Sequence, residues 1–158
     1  MNYTIRELRA GERPLLNDFL YEAIFVHEGE LPPPRSILEK PELQVYVEDF
    51  GSRPEDICFV ADVGGKVAGA VWVRVMNDYG HIGDGIPSFA ISLFKEYRGC
   101  GIGTKLMLRM LEELRCRGFE KASLAVQKSN YALRMYLAVG FEIIGENEEE
   151  YIMVNHLK

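Results

Sequence analysis

The 158-residue sequence predicts an α/β fold of the mixed α+β kind, one domain over residues 1–158 in the order β-α-α-β-β-β-α-β-α-β-β. Three observations predict it. Two β-branched, apolar runs in "DICFVADVGGKVAGAVWVRVM" flank Gly64-Gly65, the turn chemistry of an antiparallel hairpin. Leu106, Met107, Met110, Leu111 and Leu114 recur at helical spacing between two strand-like runs, which makes a βαβ unit, parallel and right-handed. No repeat, linker or low-complexity stretch divides the chain, and a single core of this size buries roughly two-thirds of the unfolded surface.

The elements follow in order. "YTIREL" alternates as a first strand, and Leu15, Leu16, Phe19, Leu20, Ala23 and Ile24 then take helical spacing, with the helix ending near His27. "ELPPPRS" cannot continue a helix, because its prolines remove donors and clash with the preceding turn. A second helix can start at Pro41, with Gly51 just beyond its end. After the hairpin, "IPSFAISLF" reads as the strand that enters the βαβ unit. The unit's helix ends legibly: Arg115 and Arg117 suit its negative end, Gly118 can turn left-handed and Phe119 can close a contact behind it. "ASLAV" is the buried return strand. Helix "NYALRMYLAV", a stop at Gly140 and two strands around the acidic turn "ENEEE" complete the chain.

Composition narrows the function. The apolar fraction of 47% and charged fraction of 27% are those of a soluble globular protein, with no apolar run approaching a membrane span and no apolar block for a signal peptide. The expected location is cytoplasmic. Cys58, Cys100 and Cys116 are odd in number and lack C-x-x-C spacing, so neither a disulfide framework nor a zinc site is expected. His27, His81 and His156 are isolated, which also argues against a metal. The net charge of −6 disfavours nucleic acid and favours cationic small molecules.

"EYRGCGIGTKL", Glu96 to Leu106, carries Gly99, Gly101 and Gly103 between a strand and a helix start. Backbone N–H groups there lack intrahelical partners and the helix dipole adds partial positive charge, so the stretch suits an anion. Glycine lets a phosphate approach the backbone without meeting a Cβ, and Arg98 can add a cation. A Walker A loop is excluded because Thr104 precedes Lys105, and a G-x-G-x-x-G fingerprint because the spacing is G-x-G-x-G. Taken alone, a glycine-rich turn that merely starts a helix remains the other reading.

The pattern [RQ]-x-x-G-x-[GA], here Arg98-Gly99-Cys100-Gly101-Ile102-Gly103, followed by "NYALRMYLAVGF", resembles the coenzyme A signature of the GCN5-related N-acetyltransferases (GNAT). The resemblance extends through the whole element order. It implies a central twisted, mostly antiparallel sheet with helices on both faces. It also implies acetyl-CoA as cosubstrate, its pyrophosphate held by Arg98, Gly99, Cys100, Gly101, Ile102, Gly103 and Thr104. Backbone groups of Ser92, Leu93 and Phe94, beside a splay between the fourth and fifth strands, would pair with the pantetheine arm and thioester. Asn130 would reach that arm, and Tyr136 would protonate the departing thiolate. From the residues alone Asn130 reads simply as a helix cap and Tyr136 as a half-buried aromatic.

Acetyl transfer needs a polarised thioester, a deprotonated amine and a stabilised leaving thiolate. Several family members place a glutamate base on the fourth strand, where this sequence offers Ser88 and Ser92. Loop residues are the substitutes: Glu28 and Glu30, with His27, in "FVHEGELPPP", and His81 and Asp84 in "NDYGHIGDGIP". Cys100 falls at the variable position of the loop pattern and reads as a bystander. The expected activity is direct, ternary-complex transfer of acetyl to a small-molecule or peptide amine, with no metal, nucleic acid or membrane partner and with a homodimer left open. A non-catalytic acyl-CoA-binding module and a nucleotide-binding protein are the competing readings.

Overall fold

The computed structural model describes residues 2–76, 83 and 85–158. Seven strands form one sheet: β1 (Thr4–Glu7), β2 (Ile57–Val63), β3 (Lys66–Arg74), β4 (Ser88–Leu93), β5 (Lys121–Gln127), β6 (Phe141–Glu146) and β7 (Glu150–His156). Their spatial order is β1-β2-β3-β4-β5-β7-β6, antiparallel throughout except for the β4–β5 neighbours. Gly64 and Gly65, with φ of 60° and 91°, make the β2–β3 hairpin turn, since a two-residue turn that matches strand twist needs left-handed backbone at both positions.

The four α-helices among the described residues are α1 (Leu15–Ala23), α2 (Pro41–Gln44), α3 (Ile102–Cys116) and α4 (Leu133–Ala138). One face of the sheet packs against α3, whose Ile102, Leu106, Met107, Met110, Leu111 and Leu114 are wholly buried against Phe59, Val71, Val73, Leu124 and Met153. The other face packs against α1 through Leu16, Phe19 and Leu20, beside Val60, Ala70 and Trp72. The predicted end of α3 forms a hydrogen-bonded left-handed stop: Gly118 has φ of 87°, its N–H donates to Arg115 O and the Phe119 N–H donates to Leu114 O, both at 3.0 Å.

Two helices are shorter than their spacing predicts. α1 ends at Ala23, and Ile24 is already extended (φ −68°, ψ 119°), where Ile24-Phe25-Val26 brings β-branched and aromatic side chains that fit a helix poorly. α2 stops at Gln44 and gives way to turns as far as Gly51. The carbonyls that would continue it serve the core: Arg74 Nη1 donates to Val45 O at 3.2 Å and to Glu48 O at 2.7 Å, and Trp72 Nε1 donates to Tyr46 O at 3.1 Å. The same Arg74 grips Asp56 bidentately at 3.0 and 2.9 Å with both side chains out of solvent, so a buried charge is paired rather than stranded.

Candidate active site

The sheet has a seam. β4 pairs with β3 along its whole length but meets β5 in register only at Ser88↔Ser123, where the Ser123 N–H donates to Pro87 O at 3.0 Å and the two hydroxyls lie 3.5 Å apart. From there β4 runs on to Leu93 and β5 to Gln127 without further pairing between them among the described residues. A gap therefore opens between two neighbouring strands in the middle of the sheet.

The ladder on the other side of β4 decides which groups face that gap. Phe94 N–H donates to Ala68 O at 3.0 Å, which makes these two a bonded pair in the β3–β4 register. Alternation then turns the peptide groups of Ser88, Ala90 and Ser92 toward β3, and those of Phe89, Ile91 and Leu93 toward the gap. Of the three residues expected to offer backbone there, Leu93 has its N–H so placed. Ser92 and Phe94 direct their peptide groups to β3, and the Ser92 hydroxyl is bonded to Phe19 O at 2.6 Å. Ile91 joins Leu93 at the gap; the register that selects it depends on the β3 pairing, which the strand's own sequence does not encode.

From Leu93 the chain makes one 3-10 turn, Lys95–Tyr97, and reaches the glycines at the mouth of the gap. Gly99 and Gly101 are left-handed (φ 76° and 82°), and a Cβ at either would meet nothing within 4 Å, so their outer side is open. Gly101 caps α3, whose first internal bond runs from Lys105 N–H to Gly101 O at 3.3 Å; the N–H groups of Ile102, Gly103 and Thr104 have no partner inside the helix. Gly103 answers a different demand. It is buried, and a Cβ there would stand 3.4 Å from both Leu93 Cδ1 and Met135 Sδ, so its smallness seats α3 closely against β4 and α4. Two left-handed glycines, helix-start amides without intrahelical partners and the dipole together present partial positive charge, which suits an anion.

The side chains of this loop divide. Ile102 lies in the core and has only its backbone to offer, whereas Thr104 and Cys100 are exposed, the latter with Sγ 3.7 Å from Arg98 O. Arg98 is not a free cation. Its Nε donates to Leu93 O at 3.0 Å and its Nη2 to Glu22 Oε2 of α1 at 2.9 Å. Glu22 carries no motif in the sequence; only the fold brings it to the loop.

Tyr136 sits in α4, on the same face as α3, buried with its ring 6.1 Å from that of Phe141. Burial raises its pKa well above that of a free phenol, so the hydroxyl keeps its proton through neutral pH. The hydroxyl has no hydrogen-bond partner among the described residues. Asn130 opens the turn into α4, its Oδ1 accepting from Ala132 N–H at 2.9 Å; this is an Asx turn ahead of the helix, whose own N-cap is Ala132 with no side-chain cap. Glu28 and Glu30 are exposed in the connection that leaves α1, and His27 packs edge-on against Phe25 at 4.9 Å. His81 and Asp84 lie outside the described residues.

A sheet opened between its fourth and fifth strands beside a glycine-capped helix start is the arrangement of an acyl-CoA-dependent acetyltransferase, and the profile of the acetyltransferase (GNAT) family matches residues 21–141. The chain belongs to that family. A mycothiol acetyltransferase of Thermobifida fusca (strain YX) is 31% identical over 116 residues; the match covers 70% of this chain, which spans 36% of that relative's length. A GNAT-family acetyltransferase from Streptococcus pneumoniae has the same fold (TM-score 0.75, 22% identity, 99% of this chain and 100% of that one). So does a PaiA N-acetyltransferase from Thermoplasma acidophilum in complex with coenzyme A (TM-score 0.73, 17% identity, 99% of each chain).

Proposed function

We propose that the protein transfers the acetyl group of acetyl-CoA to a primary amine by direct attack within a ternary complex. The observation that carries this reading is the single-residue β4–β5 pairing next to the left-handed glycines at the start of α3. The amides of Gly99 to Thr104 would hold the diphosphate, and the Ile91 and Leu93 N–H groups would bond the pantetheine arm and polarise the thioester carbonyl. Tyr136, which keeps its proton, would deliver it to the departing sulfur. Asn130 would orient the arm from the α4 turn. Glu28 and Glu30, exposed on the α1 side of the sheet, would draw a cationic amine toward the gap.

Thermal shift with coenzyme A, ATP and NAD, followed by thiol release from acetyl-CoA across a panel of amines, tests the proposal. Stabilisation by coenzyme A alone together with amine-dependent thiol release is expected. Stabilisation by ATP or NAD but not coenzyme A overturns it. Coenzyme A binding without turnover on any amine assigns the fold a non-catalytic, acyl-CoA-binding role.

A further inference from the structure

The sheet face away from α3 carries a pair of oxygen acceptors at the open end of the seam. In β5, Ser123, Ala125 and Gln127 alternate with the core residues Ala122, Leu124 and Val126; in β7, Glu150 and Ile152 alternate with Tyr151 and Met153, which face α3. Gln127 and Glu150 are register partners and so share the α1 side of the sheet, with Cβ atoms about 5 Å apart as cross-strand neighbours are. They lie at the end of β5 farthest from the Ser88↔Ser123 contact, where the two strands have parted most.

Neither oxygen acceptor has a hydrogen-bond partner shown among the described residues. Gln127 Oε1 is buried with no hydrogen-bond partner among the described residues, an unfavourable state unless a donor arrives. The Glu150 carboxyl is half-buried, and burial first, then the Glu149 charge, raises its pKa. Glu148 lies in the same turn, Lys128 follows β5 and Glu146 ends β6. Lys128 is paired with Glu146 at 2.7 Å and stacked over Tyr151, on the α3 side. A carboxylate beside an orphaned amide oxygen suits a charged N–H donor.

On the acetyl-transfer reading above, we infer that Glu150 and Gln127 receive the acceptor amine: Gln127 Oε1 orients an ammonium N–H, and the Glu150 carboxylate takes the proton that must leave before attack. The substrate class is a primary alkylammonium that enters from the α1 side. Its R–NH3+ gives one proton to Glu150, leaving R–NH2. The nitrogen lone pair then forms the N–C bond to the thioester carbonyl carbon as the C–S bond breaks and its electron pair leaves on sulfur. Sulfur takes the Tyr136 proton, and the second proton lost from nitrogen replaces it. Glu150 returns its proton to water, so the sum is an amide, a free thiol and one released proton.

The test uses n-butylamine as probe on the whole protein. Side-chain carbon NMR follows the Glu150 carboxyl through a pH titration with and without excess n-butylamine. The amine should move its midpoint down by about one pH unit, the direction an adjacent cation imposes, and Gln127→Leu should abolish that movement. An unmoved midpoint in the wild type overturns the inference whether or not turnover is seen. In parallel, the pH profile of kcat/KM for n-butylamine should show an acidic limb that Glu150→Gln removes while lowering the rate about 10²-fold or more, with coenzyme A affinity and melting temperature unchanged. A Glu150→Gln enzyme with the wild-type rate and limb also overturns it. Loss of coenzyme A binding in the wild type instead sinks the acetyl-transfer reading, and the NMR arm still decides on Glu150.

Discussion

Arg98 of the glycine loop is ion-paired with Glu22 of α1 at 2.9 Å, and the same guanidinium holds the carbonyl that ends β4. The arginine of the loop signature thus fastens the strand at the gap to the helix on the opposite face. A group so engaged has little left for a phosphate. Arg98→Ala should therefore weaken coenzyme A binding by less than about tenfold, the effect of a shifted β4 end and not of a lost charge-assisted contact. Glu22→Gln should change it still less. Calorimetric titration of both variants checks this, and a loss near 10²-fold for Arg98→Ala alone would mean that the arginine leaves Glu22 to meet the ligand.

Gly101 and Gly103 should fail in different ways when enlarged. At Gly101 the cost lies in the backbone: a φ of 82° strains any other residue by about 1–2 kcal/mol, and Gly101→Val should reshape the helix start and lower coenzyme A affinity at least tenfold. At Gly103 the cost lies in packing against Leu93 and Met135, so Gly103→Val should lower the melting temperature as well. Binding calorimetry paired with scanning calorimetry separates the two.

Tyr136→Phe removes one oxygen and keeps the ring that packs on Phe141. Affinity for coenzyme A should be unchanged and kcat should fall about 10²–10⁴-fold. Because burial raises the phenol's pKa, the wild type should show no loss of rate from tyrosine ionisation between neutral pH and the free-phenol range. Equal rates for the two enzymes would leave Tyr136 a packing residue.

Acid should unfold the protein partly through one cluster. Arg6 of β1 donates to both Glu12 oxygens at 2.8 Å and to Asp62 of β2 at 3.0 Å. Its guanidinium, beside Glu12, holds that carboxyl down to about 2. A folded-state pKa below the unfolded value gives stability that is present above the unfolded pKa and is lost as pH falls through it toward 2. Arg6 and Glu12 are about a fifth exposed, so their pairing contributes on the order of 1–2 kcal/mol after screening. Urea unfolding at successive pH values should show the wild type losing this increment below the ordinary carboxylate range, and Arg6→Ala losing much less.

The buried Asp56–Arg74 pair should matter more than any surface contact. Asp56→Asn leaves a guanidinium wholly out of solvent without its counter-charge, and should destabilise by about 3–5 kcal/mol in urea.

The sequence carried the fold through signals that are local. Gly64-Gly65 announced the hairpin, the Leu106-to-Leu114 stripe announced α3, and Gly118 announced its stop, because each residue type answers its own backbone demand. It overstated α1, which ends before the β-branched and aromatic run Ile24-Phe25-Val26, and α2, where the carbonyls of Val45, Tyr46 and Glu48 are drawn off by Arg74 and Trp72, side chains nearly thirty positions away. The site was legible to the same degree. The glycines of the loop declared themselves, whereas the choice of Ile91 over Ser92 at the gap depends on pairing with β3, and the Arg98–Glu22 and Gln127–Glu150 neighbours exist only once the strands are assembled.

The seam also divides the chain in time. Residues of β1 to β4 with α1 and the connecting α3 come before β5 in sequence, and β6, β7 and α4 come after it, so the two wings share an apolar core but, among the described residues, are hydrogen-bonded to each other across the seam by little more than one rung. Amide hydrogen exchange in the unliganded protein should then fall into two cooperative blocks divided near Glu120, the C-terminal block opening at a lower free energy. The peptide groups of Ile91 and Leu93, flanked by slow amides, should exchange fast until a ligand in the gap protects them.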